Sequence, residues 1–291
     1  MNSNLVLGTA NFGAKYGISN GGKVLQNYEL TKIVELAETS RLFEFDTAPS
    51  YGNAETQLGL SLKNPESTRV FTKISVEDSK SVSKMIESVK KSRHRTKVTK
   101  FAGIYLHNES VFESTNSKEI VAGVRELLNL GMTESVGISV YSMDALIKAK
   151  DFCPELNLFQ VPENICDRRL YNSELLKDLS LADNSIYVRS IFLQGLLLME
   201  PLNLPKEFLQ AIPTLEKLIE FSHLHNTSRE ALCLSYAQSI SWAKGIVVGV
   251  ASISQLKKLL EPRVTLPKDF DIEIPALDVE FLDPRGWPKL L

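Results

Sequence analysis

FEFDTAPSYG (residues 43–52), VFTKIS (70–75) and GIYLHN (103–108) are the three stretches that decide how this chain folds. Each is a short apolar run whose last residues become polar or ionisable. That pattern is typical of a buried strand that presents its chemistry at the carboxyl end. Short apolar runs alternate with amphipathic stretches along the whole chain, and this alternation predicts parallel strands covered by helices.

Eight such strand–helix units follow one another without a linker or a low-complexity break. They predict an α/β fold, a (β/α)8 TIM barrel, with residues 1–291 as a single domain. A doubly wound sheet is the structural alternative. Chemistry at the ends of several strands favours the barrel, and so does the lack of a G-x-G-x-x-G after the first strand.

Three segments receive more specific predictions. The seventh strand is predicted to span SIYVRSIFLQG (185–195). The basic run KKSRHRTKVTK (90–100) is predicted to be a solvated loop, with an anion or partner contact as the alternative. The tail 261–291 is rich in Pro and Asp and has little helical periodicity, so we expect it to be extended or looped.

Composition narrows the function classes. The net charge of −2 and a pI near 6.2 favour neither nucleic acid nor an anionic membrane as a partner. We find no signal peptide and no apolar run near the roughly 20 residues that span a bilayer. The three cysteines form no C-x-x-C pair, which favours reduced thiols in a cytoplasmic protein. No metal site is predicted, and the oligomeric state is left open.

Asp46, Tyr51, Lys73 and His107 carry the predicted chemistry. A phenol beside an ammonium has a lowered pKa, and it can donate a proton near neutral pH when a carboxylate pairs the ammonium and an imidazole lies behind it. Taken singly, each residue has a structural explanation: a loop cap, a core tyrosine, a barrel ion pair and a satisfied buried histidine. Their joint occurrence at successive strand ends favours a proton relay.

DTAPSYGNAE (46–55) resembles the D-T-A-x-x-Y-G-x-x-E stretch of the aldo/keto reductase superfamily, and the four residues match its tetrad in type and order. The resemblance implies an NAD(P)-dependent oxidoreductase in which Tyr51 is the general acid and Lys73 lowers its pKa. Asp46 would pair with Lys73, and His107 would orient the carbonyl. Relatives usually begin with a β-hairpin that plugs the barrel, and we expect this chain to lack it because its first strand begins almost at once.

The resemblance also implies a nicotinamide cofactor, NAD(H) or NADP(H), extended across the barrel mouth. Ser139 and Gln160 are expected to hold its carboxamide; alternatively, Gln160 satisfies backbone groups. Arg189 stands where relatives have a stacking aromatic, followed by Ser190. Gly195 is expected to bring backbone N–H groups to the diphosphate.

VVGVASISQLKKLL (247–260) resembles the family's P-G-A-S-x-x-x-Q-L-x-x-N segment. By in-line comparison, Ser252 replaces the cation that binds the 2′-phosphate of NADP, and Leu259 replaces an asparagine that binds the adenine. The usual preference for NADP is therefore in doubt, although Lys257 and Lys258 lie nearby. Contacts at this helix start are expected from Gly249, Ser252 and Gln255.

The predicted substrate pocket is lined by Phe12, Tyr16, Tyr141, Asn164, Arg168 and Trp287. PENICDRR (162–169) is similar to a stretch in sugar-active members, so a sugar-like or anionic small-molecule carbonyl is favoured, although Arg168 serves equally well as a helix-start charge. Two other functions remain open at this point. One is a regulatory cofactor-binding subunit, and the other is an isomerase or epimerase that recycles a bound nicotinamide.

Overall fold

Eight parallel strands close into a barrel in chain order, β1 to β8. The structure is a computed structural model, and it describes residues 4–18, 24–113, 117–261, 264–267 and 270–287. The strands are β1 (Leu5–Gly8), β2 (Glu44–Asp46), β3 (Arg69–Ile74), β4 (Gly103–Leu106), β5 (Val136–Ser139), β6 (Leu158–Pro162), β7 (Ser185–Arg189) and β8 (Gly245–Gly249). Pairing of β1 with β8, in which Leu5 lies opposite Ile246, closes the ring.

Helices follow the strands and cover the barrel. They are α1 (Ala10–Gly13), α2 (Asn27–Thr39), α3 (Ala54–Ser61), α4 (Val82–Thr96), α5 (Ser117–Asn129), α6 (Met143–Phe152), α7 (Glu174–Leu181), α8 (Ile212–Leu224), α9 (Arg229–Ser239), α10 (Ile253–Leu260), α11 (Phe270–Glu273) and α12 (Val279–Leu282). Serine side chains accept a backbone N–H at the starts of five of them, as N-caps do; these are Ser81, Ser142, Ser173, Ser228 and Ser252. The predicted TIM barrel is confirmed.

The barrel interior is divided into an apolar floor and a polar mouth. Phe71 and Lys73 of β3 face inward, whereas the hydroxyl of Thr72 between them donates to Glu55 of α3. Residues two apart on a strand share a face, so the floor and the mouth are successive layers of the same strands. The floor consists of Val6, Phe71, Ala102, Tyr105, Leu158 and Tyr187. With the floor filled, the interior opens at the carboxyl ends of the strands.

Several segments differ from the sequence prediction. The basic run is helical as far as Thr96, where α4 ends, and only its last four residues, 97–100, form a loop. There, Arg95 Nε donates to Glu55 Oε2 at 2.6 Å, a long-range contact that holds the helix end. Strand β7 ends at Arg189 rather than Gly195.

The tail is also more structured than expected. It forms the single turns α11 and α12, and Phe281 and Leu282 of α12 are buried. At the N-terminal side, only Asn4 precedes β1 among the described residues, and no hairpin comes before the barrel in that part of the chain. Within the described ranges, no helix is long and apolar enough to cross a bilayer.

Candidate active site

A buried ion pair forms the centre of the site. Lys73 Nζ lies 2.5 Å from Asp46 Oδ1, and the exposed fractions of the two side chains are 2% and 5%. Lys73 also donates to the carbonyl of Thr47 at 3.1 Å, and Gln160 Nε2 donates to Asp46 Oδ2 at 2.9 Å. Since both charges have further hydrogen-bond partners, the pair is stable where water does not reach it.

Tyr51 and His107 border this pair. The Lys73 ammonium lies 5.0 Å from the centroid of the Tyr51 ring. The Tyr51 and His107 rings meet edge to face, with centroids 6.0 Å apart and an angle of 81°. Ser50 Oγ lies 3.4 Å from His107 Nδ1, which leaves Nε2 of the imidazole for another partner. The structure therefore brings the four predicted catalytic residues together.

Burial has the largest effect on the pKa values of Tyr51 and His107. It raises the pKa of Tyr51, and the Asp46 carboxylate raises it further, whereas the Arg189 guanidinium lowers it. The expected lowering of this pKa by Lys73 stays a prediction. Burial, followed by the charges of Lys73 and Arg189, lowers the pKa of His107 to about 3. At neutral pH, Tyr51 holds its proton and His107 is neutral.

Two glycines, Gly13 and Gly52, allow the backbone that follows β1 to contact the turn that carries Tyr51. A Cβ on Gly13 would lie 2.0 Å from the backbone oxygen of Tyr51, and one on Gly52 would lie 2.3 Å from the oxygen of Gly13. Gly52 also has φ of +62°, a conformation that favours glycine. The backbone of α1 thus packs directly on the Tyr51 turn and fixes its position.

A cavity of about 530 Å³ opens above the tetrad. This volume is within the range of small-molecule and cofactor sites. All four tetrad residues line it, together with nine other predicted site residues: Tyr16, Ser139, Tyr141, Gln160, Arg189, Ser190, Gly195, Gly249 and Gln255.

At the tetrad end of the cavity, Gln160 is held by side chains. It donates to Asp46, and its oxygen accepts from Ser139 Oγ at 3.5 Å. These contacts favour a site residue over the alternative in which Gln160 satisfies backbone groups. At the opposite end, Gln255 accepts from the backbone N–H of Ala251 at 2.6 Å, so it orders the start of α10.

The chain turns sharply after β7. Ser190, Leu193 and Gln194 have φ of 64°, 46° and 52°, and Gly195 has φ of 93°. Left-handed backbone at non-glycine residues is strained and concentrates at functional sites. Here it ends the strand and carries Ser190, Gln194 and Gly195 along the cavity wall.

Five predicted residues do not line the cavity: Phe12, Asn164, Arg168, Ser252 and Trp287. Phe12 is a core residue, and Trp287 packs edge to face on Phe208 with ring centroids 4.7 Å apart. Ser252 caps α10 by accepting the Gln255 N–H at 3.2 Å. Arg168 donates to backbone carbonyls of Ile165 and Asp271, away from the cavity.

The PENICDRR loop (162–169) does not line the cavity either, and its polar side chains bond within the protein. Asn164 Oδ1 accepts the N–H of Cys166 at 2.9 Å, which shapes the turn. Glu163 is buried and accepts the hydroxyl of Tyr236 at 2.5 Å and the N–H of Leu170 at 3.0 Å. Burial raises the pKa of Glu163 to about 8. The polar residues of this loop are therefore bonded within the protein scaffold.

The tail reaches the cavity, as the prediction for Trp287 implied, but through a residue that sequence reasoning missed, Arg285. Arg285 lines the cavity and pairs with Asp283 at 2.6 Å and Glu109 at 3.2 Å. Its guanidinium carbon lies 3.7 Å from the centroid of the Tyr141 ring, and that of Arg189 lies 4.0 Å from the same centroid. Both guanidinium groups therefore lie within cation–π distance of the Tyr141 ring.

A second ion pair lies at the far end of the cavity. Lys258 Nζ and Glu230 Oε1 are 3.0 Å apart, and both residues line the wall together with Leu259. The sequence suggested Lys258 as a substitute phosphate contact, but it offered no sign of Glu230, which belongs to the preceding helix.

Comparison with known proteins agrees with this geometry. Residues 4–273 match the sequence profile of the aldo/keto reductase family. The chain belongs to this family. As an aldo/keto reductase, it is an oxidoreductase enzyme that depends on NAD(P). It is 25% identical over 258 residues to D-arabinose 1-dehydrogenase of Saccharomyces cerevisiae, covering 81% of this chain and 77% of the yeast protein.

Solved structures support the fold of this aldo/keto reductase. A thermostable aldo-keto reductase bound to the inhibitor epalrestat superposes with a TM-score of 0.71 at 17% identity, covering 91% of this chain and 92% of that one. The glycerol dehydrogenase of Gluconobacter oxydans gives 0.67 at 18% identity, with 90% and 87% covered. Identities this low show a shared fold.

The cavity of this aldo/keto reductase suits a nicotinamide nucleotide. One end provides a hydroxyl and an amide, from Ser139 and Gln160, next to the tetrad. The wall then continues past the turn after β7 to the start of α10. A Cβ on Gly249 would meet no atom closer than 3.8 Å, so this part of the wall is open.

Proposed function

We propose that the enzyme transfers a hydride between a nicotinamide nucleotide and the carbonyl or alcohol group of a polar, sugar-like substrate, with Tyr51 as the general acid. The observation that carries the proposal is the assembly of Tyr51, His107 and the Lys73–Asp46 pair at one end of a single cavity. The bound nucleotide would supply or accept the hydride, and Tyr51 would donate or accept the proton.

In reduction, the Tyr51 hydroxyl donates its proton to the carbonyl oxygen. Its raised pKa keeps that proton in place until charge develops on the oxygen. His107, neutral over the physiological range, orients the carbonyl through a ring nitrogen. The ammonium of Lys73, 5.0 Å from the tyrosine ring, stabilises the phenolate that remains. In oxidation the same groups act in reverse.

A polyhydroxylated substrate is supported by the polar wall near the tetrad. Tyr16, Ser75, Asn108 and Tyr141 border this end of the cavity and offer hydroxyl and amide groups. The name of the yeast relative, D-arabinose 1-dehydrogenase, points in the same direction. We infer a small sugar or a related polyol or hydroxycarbonyl compound, and not a nucleic acid, as the partner.

For the cofactor, we propose that NAD(H) is used comparably to, or better than, NADP(H). The side chain of Ser252 is engaged in the α10 cap, and the charge of Lys258 is neutralised by Glu230. Neither provides a free cation for a 2′-phosphate. The three cysteines are unpaired thiols buried in the protein, which supports the cytoplasm as its compartment.

Replacement of the general acid tests the proposal. Tyr51→Phe should lower kcat on the cognate substrate by roughly 100-fold or more, since general acid catalysis contributes on that order. Its dissociation constant for NADH should stay close to that of wild type. Activity is followed by the loss of NADH absorbance over a panel of sugars, and stoichiometric loss separates a reductase from an isomerase that retains its cofactor.

Tyr171→Phe is the matched control because it removes the same hydroxyl outside the cavity, where Tyr171 contacts Ser239. Turnover of Tyr51→Phe equal to that of this control would remove Tyr51 from the role of proton donor.

A further inference from the structure

Arg189 is held by neutral groups only. It lies at the end of β7 and lines the cavity. Its Nη1 donates to Ser190 Oγ at 3.2 Å, and its Nη2 donates to the carbonyl of Val140 at 3.2 Å. The ion pairs formed within the described residues do not include it, although a guanidinium is charged at every physiological pH.

The other permanent charges on the cavity wall are paired. Lys73 is bonded to Asp46, and Lys258 to Glu230. Arg285 contacts two carboxylates, those of Glu109 and Asp283. Among the described lining residues, Arg189 is therefore the cation without a direct ion pair, and the nearest excess carboxylate is Asp283, whose pKa the charge of Arg189 helps to lower.

This charge acts on the reaction centre. Burial has the largest effect on the pKa of both Tyr51 and His107, and the positive charge of Arg189 lowers both values. Arg189 likewise lowers the pKa of the buried Lys73. A group placed between Tyr51 and His107 is therefore within the range of its electrostatic potential.

We propose that Arg189 makes the site bind the reduced nicotinamide more tightly than the oxidised one, and so raises the reduction potential of the bound nucleotide. The inference rests on the proposed function. In the reductive step, a C–H bond of the reduced nicotinamide breaks, and its hydride forms a C–H bond at the carbonyl carbon. The carbonyl is reduced, the nicotinamide is oxidised, and the proton of Tyr51 goes to the carbonyl oxygen.

The binding preference follows from the charges of the two nicotinamide states. Hydride transfer requires the nicotinamide ring to touch a carbonyl whose oxygen contacts Tyr51, so the ring must lie near the tetrad. The oxidised ring carries a positive charge, and the reduced ring is neutral. An unpaired cation nearby repels the former and leaves the latter unaffected. The same charge stabilises negative charge that develops on the carbonyl oxygen during reduction.

The experiment compares the affinities of the two redox states. The dissociation constants of NADH and NAD⁺ are measured by quenching of the fluorescence of Trp242 and Trp287 in wild type and in Arg189→Met. We expect the ratio Kd(NAD⁺)/Kd(NADH) to fall about tenfold in Arg189→Met, which for a two-electron couple corresponds to about 30 mV. Arg189→Lys keeps the charge and should keep the ratio.

Arg168→Met is the matched control. Arg168 also donates to neutral acceptors, so its removal changes the net charge by the same amount outside the cavity. The ratio in this variant should equal that of wild type. If circular dichroism shows that Arg189→Met does not fold, Arg189→Gln replaces it, since the amide can still donate to the carbonyl of Val140.

Three results would overturn the inference. A ratio unchanged in a folded, neutral Arg189 variant would show that the charge does not discriminate between the redox states. An unchanged ratio together with a raised KM for D-glucuronate, but not for D-glucose, would show that Arg189 binds an anionic substituent of the substrate. No binding of either nucleotide by the wild type would overturn the proposed function as well.

Discussion

The Lys73 ammonium and the Asp46 carboxylate stabilise each other, so the removal of either one should be costly. In Lys73→Met, Asp46 would keep only the neutral Gln160 donor, and we expect the free energy of unfolding to fall by about 3–5 kcal/mol. Turnover should also fall because the phenolate of Tyr51 loses its cation. Urea unfolding measures the first effect, and initial rates measure the second.

The double variant Asp46→Asn/Lys73→Met is the control for this prediction. It removes both charges, so most of the lost stability should return while activity stays low. A single Lys73→Met variant that unfolds at the same urea concentration as wild type would contradict a buried, coupled pair.

The low pKa of His107 has a consequence for stability at acid pH. Its folded pKa of about 3 lies below the value of 6.5 for a free histidine. Between these two values the unfolded chain binds a proton that the folded protein does not, so stability falls as the pH falls through this window. Above pH 6.5 both states are neutral, and the contribution is fully present.

The variant His107→Gln should lack this part of the acid sensitivity. Since His107 is partly accessible, we discount the full effect and expect wild type to lose about 1 kcal/mol more than the variant between pH 7 and pH 5. Urea unfolding at both pH values checks it. Parallel losses in the two proteins would show that His107 titrates normally.

The grouping of the four proposed catalytic residues could be predicted because they lie in short local patterns. Asp46 and Tyr51 are five residues apart, and Lys73 and His107 each end a recognisable strand. Arg285 could not be predicted, since its partner Glu109 is 176 residues away in the chain. The pKa of Tyr51 could not be predicted either, because it depends on burial and on the net charge of its neighbours.

We expect the ion pair between α9 and α10 to decide how strongly the cavity binds a 2′-phosphate. Glu230 of α9 neutralises Lys258 of α10 at 3.0 Å. We therefore expect NADPH to bind wild type no more than about tenfold tighter than NADH, a gap near 1.4 kcal/mol. Glu230→Gln frees the ammonium and should strengthen the binding of NADPH while leaving NADH unchanged. Fluorescence titration with both nucleotides measures the two affinities.

Two further variants delimit this prediction. Lys258→Met should have little effect on NADH, and combined with Glu230→Gln it should abolish the gain for NADPH. If wild type binds NADPH far more than tenfold tighter than NADH, then a cation on this wall binds the 2′-phosphate even though that cation is ion-paired.

Two elements end at other residues than predicted, and each end depends on a structural detail that a local sequence pattern does not contain. Strand β7 stops at Arg189 because Ser190 adopts a left-handed conformation, for which serine gives no signal. Helix α4 extends through a basic run because Arg95 reaches the buried Glu55. By contrast, the sequence pattern is sufficient for α2, because its buried residues Leu30, Ile33, Val34 and Ala37 recur at helical spacing.

At the scale of the whole molecule, the residues that fill the barrel interior and those of the proposed active site lie in different layers along the barrel axis. Aromatic and aliphatic residues fill the floor, where the rings of Phe71 and Tyr187 lie 5.0 Å apart. The polar and charged residues gather above them at the mouth. The eightfold alternation predicted this architecture because it repeats along the entire chain. Which tail residue lines the cavity depends on the packing of single side chains, and the composition of the tail did not predict Arg285.

The contact between Gly13 and the Tyr51 turn restricts how this enzyme can be altered. In a saturation library selected for activity, positions 13 and 52 should tolerate no other residue, because the smallest added carbon would overlap a backbone oxygen at 2.0 or 2.3 Å. Gly131, where an added carbon meets nothing within 4 Å, is the comparison, although its φ of +62° still favours glycine or asparagine. Sequencing before and after selection measures this tolerance. Enrichment of alanine at position 13 would show that the two loops can separate without loss of turnover. If they cannot, two residues that bring no side chain to the reaction constrain the evolution of the active site as firmly as the tyrosine does.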